Sequence, residues 1–289
     1  ELRFDTKMTE LLTFGGEITG VKAVTNRKGA DIEEKIETDC VILAIGHSAR
    51  DTFALLKTQK VAMEKKAFSV GVRIEHLQKD IDKSQYGISA ELMRELNGAA
   101  DYKLSHRASN GRGVYTFCMC PGGFVVGAAS EEGRLVTNGM SNFDRAGQNA
   151  NAALLVSVTP EDFPGDNVLS GVEFQRKIEE NAFMAGGGNW RAPCQLVGDF
   201  LLGKESNSVG RIEPSFSNGF ALTDLNSILP KEVAAALKEG IPAFGKKIYG
   251  FDAYEAVLTG CETRSSSPVR ILRNEKGNSL SIKGLFPTG

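Results

Sequence analysis

Arg264-Ser265-Ser266-Ser267, just ahead of Pro268, sets a fixed cation beside three hydroxyls in a turn, a donor group suited to an anion or to the carbonyl of a flat ring. A solvated surface loop has the same composition, and both readings stand. Cys118 and Cys120 are the one close thiol pair, which suggests either a redox couple or packed, idle thiols. In a strand they share a face about 6.6 to 7 Å apart at Cα, near the outer limit for a disulfide, so a bridge between them would be strained. A lone C-x-C does not supply four zinc ligands, and His47, His76 and His106 stand far apart, so no metal site is expected. His106-Arg107, Asn110 to Gly113, Asn138 and Asn149-Ala150-Asn151 carry polar groups able to orient a substrate, or simply to form turns. No Ser-His-Asp set, HExxH or paired-carboxylate signature supports hydrolysis, and no general acid or base can be named.

The elements that must position these groups begin with Asp39 to Ser48, an apolar run that shrinks to Ala44, Ile45 and Gly46 and then turns polar at His47. A continuous run without alternation predicts a strand buried on both faces, and its glycine lets backbone approach a neighbour too closely for any Cβ. Ser48 to Gln59 then reads as a helix. Before that run, strands are expected at Leu2 to Asp5, Met8 to Phe14, Ile18 to Asn26 and Ile32 to Glu37. Turns at Gly15-Gly16 and Lys28-Gly29 make residues 8 to 37 a three-stranded antiparallel meander flanked by strands suited to a parallel sheet. From Ala67 the pattern changes to strands at Phe68 to Glu75, Tyr102 to Arg107, Val114 to Cys120, Phe124 to Ala129 and Leu135 to Met140, an antiparallel sheet or small barrel. Helices are predicted over Val172 to Ala185, Gln195 to Leu202, Asp224 to Leu229 and Lys231 to Leu237, and strands return at Ala256 to Thr263, Val269 to Arg273 and Leu280 to Phe286.

At 289 residues the chain can bury a sizeable core and suggests two domains. Lys+Arg 34 against Asp+Glu 36, with no basic block, argues against nucleic acid as a partner. Five scattered cysteines argue against a secreted disulfide framework and for a reducing cytoplasm, and no apolar run is long enough to cross a membrane. Opening inside an expected strand and closing on Gly284 to Gly289, the chain reads as a piece of something longer. Its expected partner is a small-molecule substrate, with the oligomeric state left open.

The order of meander, strand ending Ala-Ile-Gly, large insert and strand ending Gly-Leu-Phe-Pro-Thr-Gly resembles flavoproteins with a glutathione-reductase-type FAD domain, and more closely the bacterial uncharacterised FAD-dependent dehydrogenases. Matching stretches are Ala67 to His76, Asn110 to Gly123, Val136 to Ser141, Glu262 to Arg270 and Gly284 to Gly289. The resemblance implies an α+β / α/β architecture. A partial, Rossmann-like FAD-binding domain (1–60 and 261–289) would carry the meander, and a substrate or insert domain (61–260) would carry the antiparallel sheet or barrel and the helices. It implies FAD as cofactor, with Met8 meeting the adenine through its backbone and Ala44, Ile45, Gly46 and His47 beside the dinucleotide. Arg264, Ser265, Ser266 and Ser267, together with Pro287, Thr288 and Gly289, would lie close to the flavin ring. Ile45 stands where the family often has Thr, so the hydroxyl of that pattern is missing. No GxGxxG occurs in the sequence, and the glycine-rich segments that grip the pyrophosphate are expected outside it. These residues alone are therefore expected to lack tightly bound flavin and activity, while the full-length protein would transfer a hydride between a substrate and flavin. The alternative is a non-enzymatic binding or scaffold module with a vestigial flavin site.

Overall fold

Gly15-Gly16 and Lys28-Gly29 reverse the chain in the left-handed region, with φ of 60°, 83°, 53° and 85°, a conformation that costs glycine little. Around these turns the computed structural model, which describes residues 1–289, builds β1 (Thr6–Phe14), β2 (Glu17–Arg27) and β3 (Ala30–Glu37) as an antiparallel meander. Next along the chain are β4 (Val41–Leu43), α1 (Arg50–Thr58), β5 (Met63–Lys65), β6 (Phe68–Leu77), α2 (Gln78–Tyr86), α3 (Ala90–Asn97), β7 (Ser105–Arg107) and β8 (Gly113–Cys120). Then follow β9 (Gly123–Gly127), β10 (Thr137–Ser141), β11 (Asn149–Val158), α4 (Ser170–Ala185), β12 (Ala192–Leu196), α5 (Val197–Leu202) and β13 (Phe220–Leu222). The last elements are α6 (Lys231–Gly245), β14 (Val257–Glu262), β15 (Val269–Ile271) and β16 (Leu285–Pro287).

Two compact units result: Glu1–Ala67 with Pro160–Glu173 and Ser266–Gly289, and Phe68–Thr159 with Phe174–Ser265. In the first, one face of the meander packs Leu11 and Ile18 against Leu43, Phe53, Leu56 and Leu285. β4 and β16 pair in parallel, with Val41 opposite Leu285 and Leu43 opposite Pro287. Gly284 makes that pairing possible, because at φ 83° a Cβ would stand 2.3 Å from the Asp39 carbonyl oxygen. The expected strand at Leu2 to Asp5 is absent, since Asp5 itself is left-handed at φ 51° and breaks the extended run. Nor is the run at β4 buried on both faces: Leu43 is covered, whereas Ile42 is 71% exposed, because the pair is only two strands wide and the unit's core lies on one side of it.

The second unit holds an open seven-stranded mixed sheet in the order β13-β12-β14-β6-β11-β8-β7, in which only β12 and β13 run parallel. There is no barrel, because β9 and β10 form a separate antiparallel pair instead of closing the sheet. β11, unforeseen in the sequence, is one of its central strands; its run of Ala, Leu and Val lacks alternation because nearly every residue is buried. The stretch expected as a helix from Gln195 is instead the end of β12, with α5 starting at Val197, and the one expected from Asp224 is a single 3-10 turn, Leu225–Ser227. β6 carries a polar network through the sheet. Arg73, fully buried, pairs with Glu262 at 3.1 Å and donates to Asn151 Oδ1 at 3.0 Å, while Glu75 accepts from Ser215 Oγ, Asn149 Nδ2 and Thr259 Oγ1. Burial raises the carboxyl pKa of both Glu75 and Glu262, with hydrogen-bond donors and Arg73 respectively pulling the other way. No helix is long and apolar enough to cross a membrane.

Candidate functional site

The parallel register of β4 and β16 delivers the carboxyl ends of both strands to one place, and Thr288 N donates to Leu43 O at 3.0 Å to hold them together. A cavity of about 760 Å³ opens there within the first unit. Ile45, Gly46 and His47 leave β4 into its wall, and Pro287, Thr288 and Gly289 leave β16 into the same wall. Ser266 and Ser267 form another side; Ser267 Oγ is tied into its own turn, donating to Val269 O at 2.7 Å and accepting from Val269 N at 3.2 Å. Leu43, Phe53 and Ile271 supply apolar surface. Gly46 differs from its sequence expectation in its reason: a Cβ there would meet nothing within 4 Å, so no neighbour presses on it, and φ of 69° is what selects glycine.

Four charged groups were not singled out in the sequence, and they set the electrostatics. Lys66, Arg270 and Arg273 line the cavity against a single carboxylate, Glu64. Glu64 accepts from Arg270 Nη1 at 2.9 Å across the antiparallel β5–β15 pair, and Arg273 Nη1 donates to Pro287 O at 2.6 Å, which fixes the guanidinium beside the end of β16. The lining therefore carries an excess of positive charge. Arg270 and Arg273 are interspersed with apolar Val269, Ile271 and Leu272, without strict alternation, and their significance shows only once that stretch is known to border a cavity.

The remaining expected site residues lie elsewhere. Met8 packs at the edge of the first unit's core, opposite Ala23, and Ala44, just past the end of β4, is exposed without lining the cavity. Arg264 and Ser265 belong to the second unit. The Arg264 guanidinium, in a residue 9% exposed, is clamped on Glu179 by Nε at 3.2 Å and Nη2 at 3.0 Å, and Nη1 donates to Ser130 Oγ. The solvated-loop reading is thereby excluded for Arg264. Ser265 Oγ donates to Ser69 O at 3.0 Å.

The polar residues offered as substrate-orienting groups are largely committed to the frame. Asn149 serves Glu75, Asn151 serves Arg73, and Arg112 Nη1 donates to Ser157 O at 2.9 Å. All five cysteines are unbridged. Burial pushes the Cys118 and Cys120 thiols up, with the Arg73 charge offsetting part of this, so neither is biased toward thiolate. No cluster of three or more His, Cys, Asp or Glu is placed to hold a metal ion.

Fold and cavity together define an α+β protein with a basic-edged, partly apolar cavity at the carboxyl ends of a parallel strand pair. A family described as "FAD-dependent protein, C-terminal domain-like" matches residues 67–265, and the chain belongs to that family. It is also similar to a protein of Clostridium beijerinckii described as an "Uncharacterized protein", 48% identical over 290 residues, a match that takes in 100% of this chain and 52% of the relative. The chain thus spans about half the length of that curated relative.

Proposed function

We propose that the whole protein is an FAD-dependent oxidoreductase, that the first-unit cavity receives the flavin end of FAD, and that the second unit serves the substrate. The observation carrying this reading is the convergence of the two strand ends. In open α/β sheets, ligands bind in the crevice beyond the carboxyl ends of parallel strands, and here Ile45-Gly46-His47 and Thr288-Gly289 meet there. The residues suit the group. Gly46 leaves open space against which a flat ring can lie, Phe53 and Ile271 give apolar walls, and Lys66 and Arg273 favour an electron-rich edge. Bound flavin would supply hydride acceptance and donation, the cofactor's own chemistry. The chain's part is to orient the ring through the Gly46 and Thr288 backbone, to place positive charge beside it, and to keep water from its apolar wall.

The pyrophosphate needs amides of the kind a GxGxxG turn presents; the 289 residues have no such motif, and the relative is about twice as long. We therefore assign that grip to residues outside this sequence. The test is to purify the whole protein and record its flavin absorbance, its reduction by dithionite and its reoxidation by air or a quinone. Stoichiometric, reducible FAD is expected, and Gly46→Val, which places a branched side chain at a left-handed position in the cavity wall, should weaken FAD binding about tenfold or more. A colourless whole protein that takes up no FAD at micromolar concentration overturns the assignment.

A further inference from the structure

β5 and the residue after it sort the charges of the first-unit cavity by the two-residue period of an extended chain. Glu64 and Lys66 both line the cavity, while Lys65 between them sends its Nζ to the Gly165 carbonyl oxygen at 2.9 Å. The chain beyond β5 is held in that alignment, since Lys66 N donates to Pro268 O at 2.9 Å. Glu64 is matched by Arg270 Nη1 at 2.9 Å, so these two charges cancel. Arg273 Nη1 donates to the Pro287 carbonyl, a neutral partner that leaves the guanidinium charge uncompensated. The Lys66 ammonium is paired with no carboxylate of the chain. Three cations face one carboxylate in the lining, and the excess resides on Lys66 and Arg273.

On the reading of this cavity as the flavin site, on which all that follows rests, we infer that Lys66 and Arg273 raise the reduction potential of the flavin. The ring is thereby poised to take a hydride from the substrate, with Glu64 opposing the effect. Oxidised flavin is uncharged, and a hydride brings two electrons and one proton that leave the ring with one negative charge. Positive charge in the wall stabilises that form and leaves the neutral ring nearly untouched. Such a differential interaction is what shifts an equilibrium. For one unit charge in a partly solvated cavity the shift is on the order of tenfold, which is about 30 mV for a two-electron couple.

The test brings the whole protein, saturated with FAD, to equilibrium with a reference dye and reads the midpoint potential from the absorbance of both. Lys66→Met removes a cation at nearly constant side-chain length and should lower the potential by about 30 mV, a tenfold change in the equilibrium. Glu64→Gln removes the carboxylate, keeps the Arg270 charge, and should raise the potential by a similar amount. The double variant should return close to the wild-type value. Glu64 is exposed and Lys66 half-buried, so neither substitution threatens the fold. A disturbed wall would move both single variants the same way, whereas charge alone reverses the sign. Bound FAD whose potential stays put, or moves in one direction in both variants, overturns the charge assignment and leaves the flavin site standing. A whole protein that takes up no FAD overturns the flavin site and this inference with it.

Discussion

Arg264 shows how a residue type can be recognised correctly and its partner missed. The guanidinium was legible as a recognition group, but the carboxylate it serves, Glu179, is 85 residues away and completely buried. The pair is nearly dry, at 6% and 0% side-chain exposure, and Thr263 Oγ1 adds a third bond to the same carboxylate at 2.6 Å. Removing one member of such a pair strands the other in a low-dielectric site, at a cost of about 3–5 kcal/mol, whereas replacing both by apolar groups of similar shape is far less costly. Arg264→Ala should therefore lower unfolding stability by about that amount. The double variant Arg264→Leu with Glu179→Leu should recover most of it, as read from urea midpoints. A direct flavin contact predicts the opposite order: single and double variants equally poor in FAD binding and a small change in stability. At this scale the Gly46 end of the apolar run was legible as a strand end because small residues closing such a run are a local signal, whereas Pro287 to Gly289 were reached only through the family resemblance. Lys66 and Arg273 were not legible, because their relevance depends on β5, β15 and β16 coming together from distant stretches.

Elements built on local signals were read well and those built on tertiary burial were not. The meander rests on adjacent glycine turns and on alternation within each strand, so its three strands were visible. β11 rests on packing between β6 and β8, and its apolar run gives no period to distinguish it from a loop or a helix. Gln195 to Leu202 carries helical spacing, yet the first two of those residues pair with β14, sheet registry overriding local preference. The same network explains a glycine inside a strand. At Gly139 of β10 a Cβ would lie 1.9 Å from Arg73 Nη2 and 2.2 Å from Asn151 Oδ1, and neither group can yield, because Arg73 is fixed by Glu262 and Asn151. Gly139→Ala should destabilise the protein by about 1–3 kcal/mol, the usual cost of overpacking a filled core. Gly127→Ala, on the neighbouring strand β9, is the control, since its Cβ would meet only the Phe216 ring at an ordinary 3.6 Å and should change stability by less than about 0.5 kcal/mol. Equal effects of the two substitutions on the denaturation midpoint would show that the Arg73 network is not what excludes a side chain.

The molecule as a whole is a family domain with an interruption. The family match runs continuously over 67–265, but the compact unit occupying that stretch omits Pro160–Glu173, which joins the first unit instead. The omitted segment is not a solvated excursion: Val172 belongs to the first unit's core, Val168 and Leu169 pack against it, and Phe163 is buried. Its apolar side chains are covered by residues from both ends of the chain, Phe53 and Leu56 on one side and Val269 and Leu285 on the other. A polypeptide restricted to 67–265 lacks that cover, although every strand of the seven-stranded sheet and the covering pair β9–β10 remains within it. Such a polypeptide should therefore keep the sheet while residues 160–173 lose their packing. Chymotrypsin, which cuts after Phe and Leu but not before proline, is blocked at Phe163-Pro164 and then has Leu169-Ser170 within reach. Cleavage between 160 and 173 should run about tenfold or more faster in the 67–265 polypeptide than in the 289-residue chain, with the sheet's circular dichroism retained, as expected when proteolysis follows the open population of a segment. Equal resistance of the two would mean that the segment draws its order from the second unit after all, and the division of the chain at Thr159 and Phe174 would have to be redrawn.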